Sequence, residues 1–125
     1  MRGDDIPYYT VLDGKETDLV EIPSKWELDD YVAQAYSVYP AEPAGLDRIS
    51  CYRNVQDNDL REFRGYYDMG LCIAFLMHPQ ISGAPGRNLV LEEVLKEVTS
   101  HKDVWVATGS EVAEYWRKAH PRKED

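Results

Sequence analysis

Leu71-Cys72-Ile73-Ala74-Phe75-Leu76-Met77-His78-Pro79-Gln80 is the stretch on which the fold turns. Seven apolar residues run without a break into a histidine, and a proline stops the run. An unbroken apolar run of this length suits a strand buried on both faces, as in parallel sheets. Gly70 marks its start, and the Gly/Pro-rich segment Ser82-Gly83-Ala84-Pro85-Gly86 follows its end. His78 is therefore expected just past the carboxyl end of a central strand, the edge where α/β proteins bind ligands.

The flanking pattern agrees. Asp57 to Met69 carries Leu60, Phe63 and Tyr67 at helical spacing and stops at Gly70. Asn88 to Ser100 reads as an amphipathic helix, with Leu91, Val94, Leu95 and Val98 inward and Glu92, Glu93, Lys96 and Glu97 outward. Val104-Trp105-Val106-Ala107 reads as the next strand. Thr108-Gly109-Ser110-Glu111 is a capping box that opens a last helix, with Val112, Tyr115, Trp116 and Ala119 facing in. Helix, strand, helix, strand, helix from residue 57 onward is a β/α pattern with a parallel pair of strands. Before it, Tyr8–Leu12 and Leu19–Ile22 are strand-like, and Asp13-Gly14 offers a turn between them. A short helix is expected over Asp29–Tyr36, then a loop through Pro40, Pro43 and Gly45, and a frayed tail from Pro121.

With 125 residues the chain makes a single domain, 1–125. A net charge of −9 argues against tracking a nucleic-acid backbone and against docking on anionic membranes. No segment reaches the ~20 apolar residues that span a bilayer. Met1-Arg2-Gly3-Asp4-Asp5 has no apolar signal region, so the expected compartment is cytoplasmic. Cys51 and Cys72 do not indicate a disulfide scaffold.

His78 leads the residues that could do chemistry: a histidine at a strand edge can pass a proton to a leaving amine. Its alternative is a ring satisfied by backbone groups. Trp26-Glu27-Leu28-Asp29-Asp30 is the second constellation. Its tryptophan could wall a pocket and its carboxylates could orient a histidine, although acidic residues also suit a helix start. His101 and His120 are scattered. No H-E-x-x-H, C-x-x-C, Walker, G-x-S-x-G or G-x-G-x-x-G motif occurs.

These pieces, taken in order, resemble the C-terminal part of the polysaccharide deacetylase family. The residues that carry the resemblance are Leu76-Met77-His78-Pro79-Gln80, Val104 to Thr108, Val112 to Arg117, Asp4-Asp5-Ile6-Pro7-Tyr8, and Ile22 to Asp30. The peptidoglycan-deacetylase-like and allantoinase-like branch is the most similar. The resemblance implies an α/β fold, a partial (β/α) barrel of about four strands with flanking helices. It implies hydrolysis of amide C–N bonds other than peptide bonds, in N-acetylated sugars or in cyclic ureides and imides. It implies zinc or another divalent metal held by one aspartate and two histidines, with a second aspartate as base. His78 matches the family's general acid, and Trp26 and Asp29 match the region that lines the pocket and supports that acid.

The departure from the family lies in the metal half. The chain has no Thr-Phe-Asp-Asp-like sequence and no His-x-x-x-His pair. Asp4-Asp5 aligns with a later segment and does not stand in for them. The expectation is a chain that keeps the proton donor, holds no metal ligand set of its own, and covers its open sheet as a homo-oligomer or with a separate N-terminal half. The alternative is a non-catalytic remnant of that family that survives as a binding or interaction module.

Overall fold

A computed structural model describes residues 5–35 and 50–122. The expected loop at Pro40, Pro43 and Gly45 falls outside these residues, as do Asp4 and the last three residues.

Strands β1 (Tyr8–Leu12) and β2 (Lys15–Glu21) form an antiparallel hairpin with an irregularity between Tyr9 and Val11. Asp13 and Gly14 both take positive φ, 52° and 79°, the geometry a two-residue hairpin turn requires. The second strand is longer at its start than expected, because it pairs right up to the turn. The tail from Pro121 does not fray at once: Arg122 donates to the Glu16 carbonyl at 2.7 Å and pairs with Asp18 at 2.9 Å. Tyr9 donates to the His120 carbonyl at 2.9 Å, so the end of the chain clasps the hairpin.

A short 3-10 turn (Trp26–Leu28) leads into helix α1 (Asp30–Gln34). Helix α2 (Tyr52–Met69) starts five residues earlier than the periodicity suggested and ends on Gly70 in the left-handed region. Helix α3 (Pro79–Ser82) is a single turn. Helix α4 (Pro85–Ser100) begins on Pro85, a residue suited to the first helical turn. Helix α5 (Gly109–Ala119) carries the full capping box between Thr108 and Glu111.

The core lies between α2 and α4. Phe63, Val94 and Val98 are buried there, and Leu60, Ile73, Phe75 and Val104 pack against them. Burying a side chain such as Phe63 contributes roughly 1.5–3 kcal/mol. The α4 stripe is rotated from the expected one: Val90, Val94 and Val98 are buried, and Leu95 is exposed. On α5 no residue is fully buried, and Tyr115 is exposed.

The apolar run departs from the expectation in one respect. Residues 71–78 are half-buried throughout, not buried on both faces. They form no ladder; their parallel bridge is Leu76 to Asp29. Leu76 donates to the Leu28 carbonyl at 2.9 Å and accepts from Asp30 at 3.1 Å, while Cys72 donates to the Asp5 carbonyl at 3.0 Å. Residues 104–107 likewise join no strand, and Trp105 and Val106 lie exposed. The expected parallel pair and the count of about four strands thus reduce to one hairpin and one bridge among the described residues. The physical reason is pairing: an apolar run becomes a ladder only beside partners, and these two segments have few here.

Candidate functional site

The bridge at Leu76 sets the site, because it brings the start of α1 beside the end of the apolar run. His78 caps α3: its carbonyl accepts from Ile81 at 2.8 Å and from Ser82 at 2.9 Å. Pro79 at the first helical position fixes the turn. Gly83 closes it, and a side chain there would meet the Pro79 carbonyl oxygen at 2.2 Å. The turn returns Ser82 to the side on which His78 stands.

Asp30 is the centre of the arrangement. It is buried, with 5% of its surface exposed. Its Oδ1 lies 2.6 Å from His78 Nδ1. Its Oδ2 accepts from the His78 backbone N–H at 2.9 Å and from the Ser82 hydroxyl at 2.5 Å. Burial alone would raise this carboxyl. The hydrogen bonds from Ser82 and from the His78 backbone and ring outweigh it, and Asp30 lies below its ordinary value. An ionised Asp30 accepts the Nδ1 proton of His78, which leaves Nε2 as the atom that exchanges a proton. Tyr31 flanks the imidazole at 5.5 Å between ring centres.

Asp29, from the region expected to line the pocket and support the acid, lines the neighbouring cavity and stands beside the pair. Its Oδ1 accepts from the Tyr31 backbone N–H at 2.9 Å, so it caps α1, and it stays 3.7 Å from His78 Nδ1. Trp26 is about half exposed and lines a cavity of about 290 Å³ together with Asp29, Asp30, Gln34 and Asp59. That cavity lies behind Asp30, and His78 is not in its lining. The sequence held a signal for which of the two carboxylates bonds the ring. A helix beginning at Asp30 uses Asp29 as its cap, which leaves Asp30 free to reach a neighbour. Ser82 carried no signal beyond its place in a Gly/Pro-rich loop.

The other histidines stand apart. His101 caps the end of α4 and packs on Tyr67 and Phe63, and His120 stacks on Trp116.

Among the described residues, Asp29, Asp30 and His78 hold donor atoms within 4.8 Å of one another. As placed, they do not fit a tetrahedral zinc ion. Two ligands on a tetrahedral zinc stand about 3.3 Å apart when each bond is about 2.0–2.1 Å. His78 Nδ1 and Asp30 Oδ1 are closer, at 2.6 Å, the spacing of a shared proton. Asp30 Oδ2 and Asp29 Oδ1 are already engaged by Ser82, His78 and Tyr31.

No family model matches the chain. Individual proteins do. A peptidoglycan deacetylase of Helicobacter pylori is 30% identical over 112 residues, which make up 88% of this chain and 37% of that protein. A solved structure named for polysaccharide deacetylase, from Mycobacterium smegmatis, superposes with a TM-score of 0.76 at 33% identity, over 97% of this chain and 41% of that one. A solved Puue allantoinase superposes with a TM-score of 0.74 at 20% identity over 96% of this chain and 38% of that one, a likeness of fold alone. The fold is thus a partial α/β fold that superposes on part of these larger structures. In sequence and fold the chain is similar, along nearly its whole length, to a portion of the polysaccharide deacetylases, the family whose motifs its sequence resembles. It spans about two fifths of the length of these relatives.

Proposed function

We propose that this chain supplies the proton-donating part of a polysaccharide deacetylase, a hydrolase that cleaves the amide C–N bond of N-acetylated sugars. The observation that carries the reading is the buried Asp30 holding His78 by ring and backbone, at 2.6 Å and 2.9 Å. In this role Asp30 fixes the imidazole, and His78 Nε2 gives its proton to the departing amine. Trp26 shapes the neighbouring wall, and Asp29 holds the turn that presents Asp30. The metal of the family would activate the attacking water. Its ligands would lie outside this chain, whose only histidines are His78, His101 and His120. Cyclic ureides and imides are the second substrate class, supported by the fold likeness to an allantoinase.

A covering partner belongs to the same reading. Trp105, Val106 and Tyr115 are 55%, 72% and 58% exposed. Together with the half-buried run 71–77 they offer apolar surface of the kind that marks an interaction site. A second copy of the chain, or a protein segment carrying the missing strands, would cover it. No helix among the described residues is long and apolar enough to cross a membrane.

The test is a chimera in which this chain replaces the matching portion of the Mycobacterium smegmatis relative. Zinc content and acetate release from an N-acetylated glucosamine polymer are then measured. Zinc retained with acetate released supports the proposal. Zinc retained in a folded chimera that releases no acetate points to the alternative, a non-catalytic interaction remnant.

A further inference from the structure

Asp30 holds the His78 ring through one oxygen, Oδ1, at 2.6 Å. A carboxylate turns readily about its last side-chain bond, because that torsion has broad minima. Behind this one there is room to turn. The cavity of about 290 Å³ has Asp30 itself in its wall, together with Ser82 and the guanidinium-bearing Arg87. The other oxygen resists the rotation. Oδ2 accepts from the His78 backbone N–H at 2.9 Å and from the Ser82 hydroxyl at 2.5 Å. Both donors ride on one unit, since the Ser82 N–H donates to the His78 carbonyl at 2.9 Å. Ser82 is buried, with 5% of its surface exposed. Its hydroxyl has a single proton to give. Met77 Sδ, at 3.4 Å, is a weak acceptor, so the carboxylate takes that proton.

Resting on the deacetylase reading, we propose that Ser82 is a positioning residue for the acid pair: with the His78 N–H it fills Asp30 Oδ2 and fixes the carboxylate plane, which keeps Oδ1 on the imidazole. One donor fixes a point on a carboxylate. Two donors on one oxygen and a third on the other fix its plane. The same bond sustains the charge. Burial raises the Asp30 carboxyl, and among the groups that bring it below its ordinary value the Ser82 hydroxyl acts most strongly. Without that hydroxyl, Oδ2 keeps the His78 N–H alone and the carboxylate has the cavity to turn into. The Nδ1 proton then loses its fixed acceptor, and Nε2 is no longer reserved for proton transfer.

The experiment is NMR on the full chain with ring-labelled histidine, His78 being assigned by His78→Gln. In alkaline buffer the neutral wild-type ring should carry its proton on Nδ1, facing Asp30, and that proton should exchange slowly with solvent. In Ser82→Ala its exchange should accelerate roughly tenfold, and the Nε2–H tautomer should appear. Ser82→Thr, which keeps the hydroxyl, should restore the wild-type ring. Ser82→Cys, with a weaker donor in almost the same space, should fall between. The Ile81 and Gly83 amides donate to the His78 and Pro79 carbonyls, and their protection reports whether α3 is intact. The proposal is overturned if Ser82→Ala leaves the ring proton as in wild type. It is equally overturned if the ring proton changes only together with those amides, since Ser82 would then hold the turn and not the carboxylate. None of these readouts needs turnover, so the deacetylase reading stands or falls separately on acetate release.

Discussion

The α2–α4 layer and the segment 104–107 carry the same kind of residue and end in opposite environments. Phe63 and Val94 are 2% and 1% exposed, whereas Trp105 and Val106, only a few residues after α4, lie largely open. Hydropathy sets the demand for cover, and topology decides who supplies it. In the helix layer the chain meets its own demand: α2 and α4 close on each other and on Ile73, Phe75 and Val104. On the far side the cover is partial: Trp105 meets Tyr115, which is itself exposed. The acid pair sits at the seam, held by buried groups on one side and open on the other, with His78 about one third exposed.

Breaking the closed region should cost most. Phe63→Ala leaves a cavity in the α2–α4 layer and should lower stability by roughly 3–5 kcal/mol in denaturant unfolding. At the seam, Asp30→Ala strands the Ser82 hydroxyl and the His78 ring and backbone donors. A loss of roughly 2–4 kcal/mol is expected from the same measurement.

A smaller effect of opposite sign comes from Asp59. Its folded value of about 6 lies above the ordinary 3.8, so between these values the native state binds more protons than the unfolded chain. Stability therefore falls as pH rises from about 4 to about 6, by roughly 1–3 kcal/mol, and the loss persists above that window. Asp59→Asn should flatten this part of the pH profile and gain stability at pH 8. Asp30 acts the other way: its depressed carboxyl contributes stability present above the ordinary value and lost as pH falls through its lower folded value.

On the open side, Trp105→Ser should change the stability of the isolated chain by no more than about 0.5 kcal/mol. It should instead weaken self-association or capture of a covering partner, read by size-exclusion chromatography with light scattering. A wild-type chain that stays a monodisperse monomer would remove the second-copy reading of that surface.

The sequence made the helical layer legible because α2, α4 and α5 carry their own punctuation: Gly70, Pro85 and the Thr108–Glu111 box. The hairpin was legible in Asp13-Gly14. Residues 71–77 and 104–107 were legible as apolar and extended, but a strand is a pairing, and pairing depends on neighbours that composition does not reveal. Of the site, His78 was visible from its place at the end of the run. Which of Asp29 and Asp30 bonds the ring turned on one residue of helix start. Ser82 was out of reach, since it is brought to the pair by long-range packing.

The most direct measurement is the rate of acetate release by the chimera with the Mycobacterium smegmatis relative, compared with the same chimera bearing His78→Ala. Loss of a general acid predicts a fall of roughly 10²–10⁴-fold with zinc content and folding unchanged. An unchanged rate would contradict the assignment of His78, held by Asp30, as the proton donor.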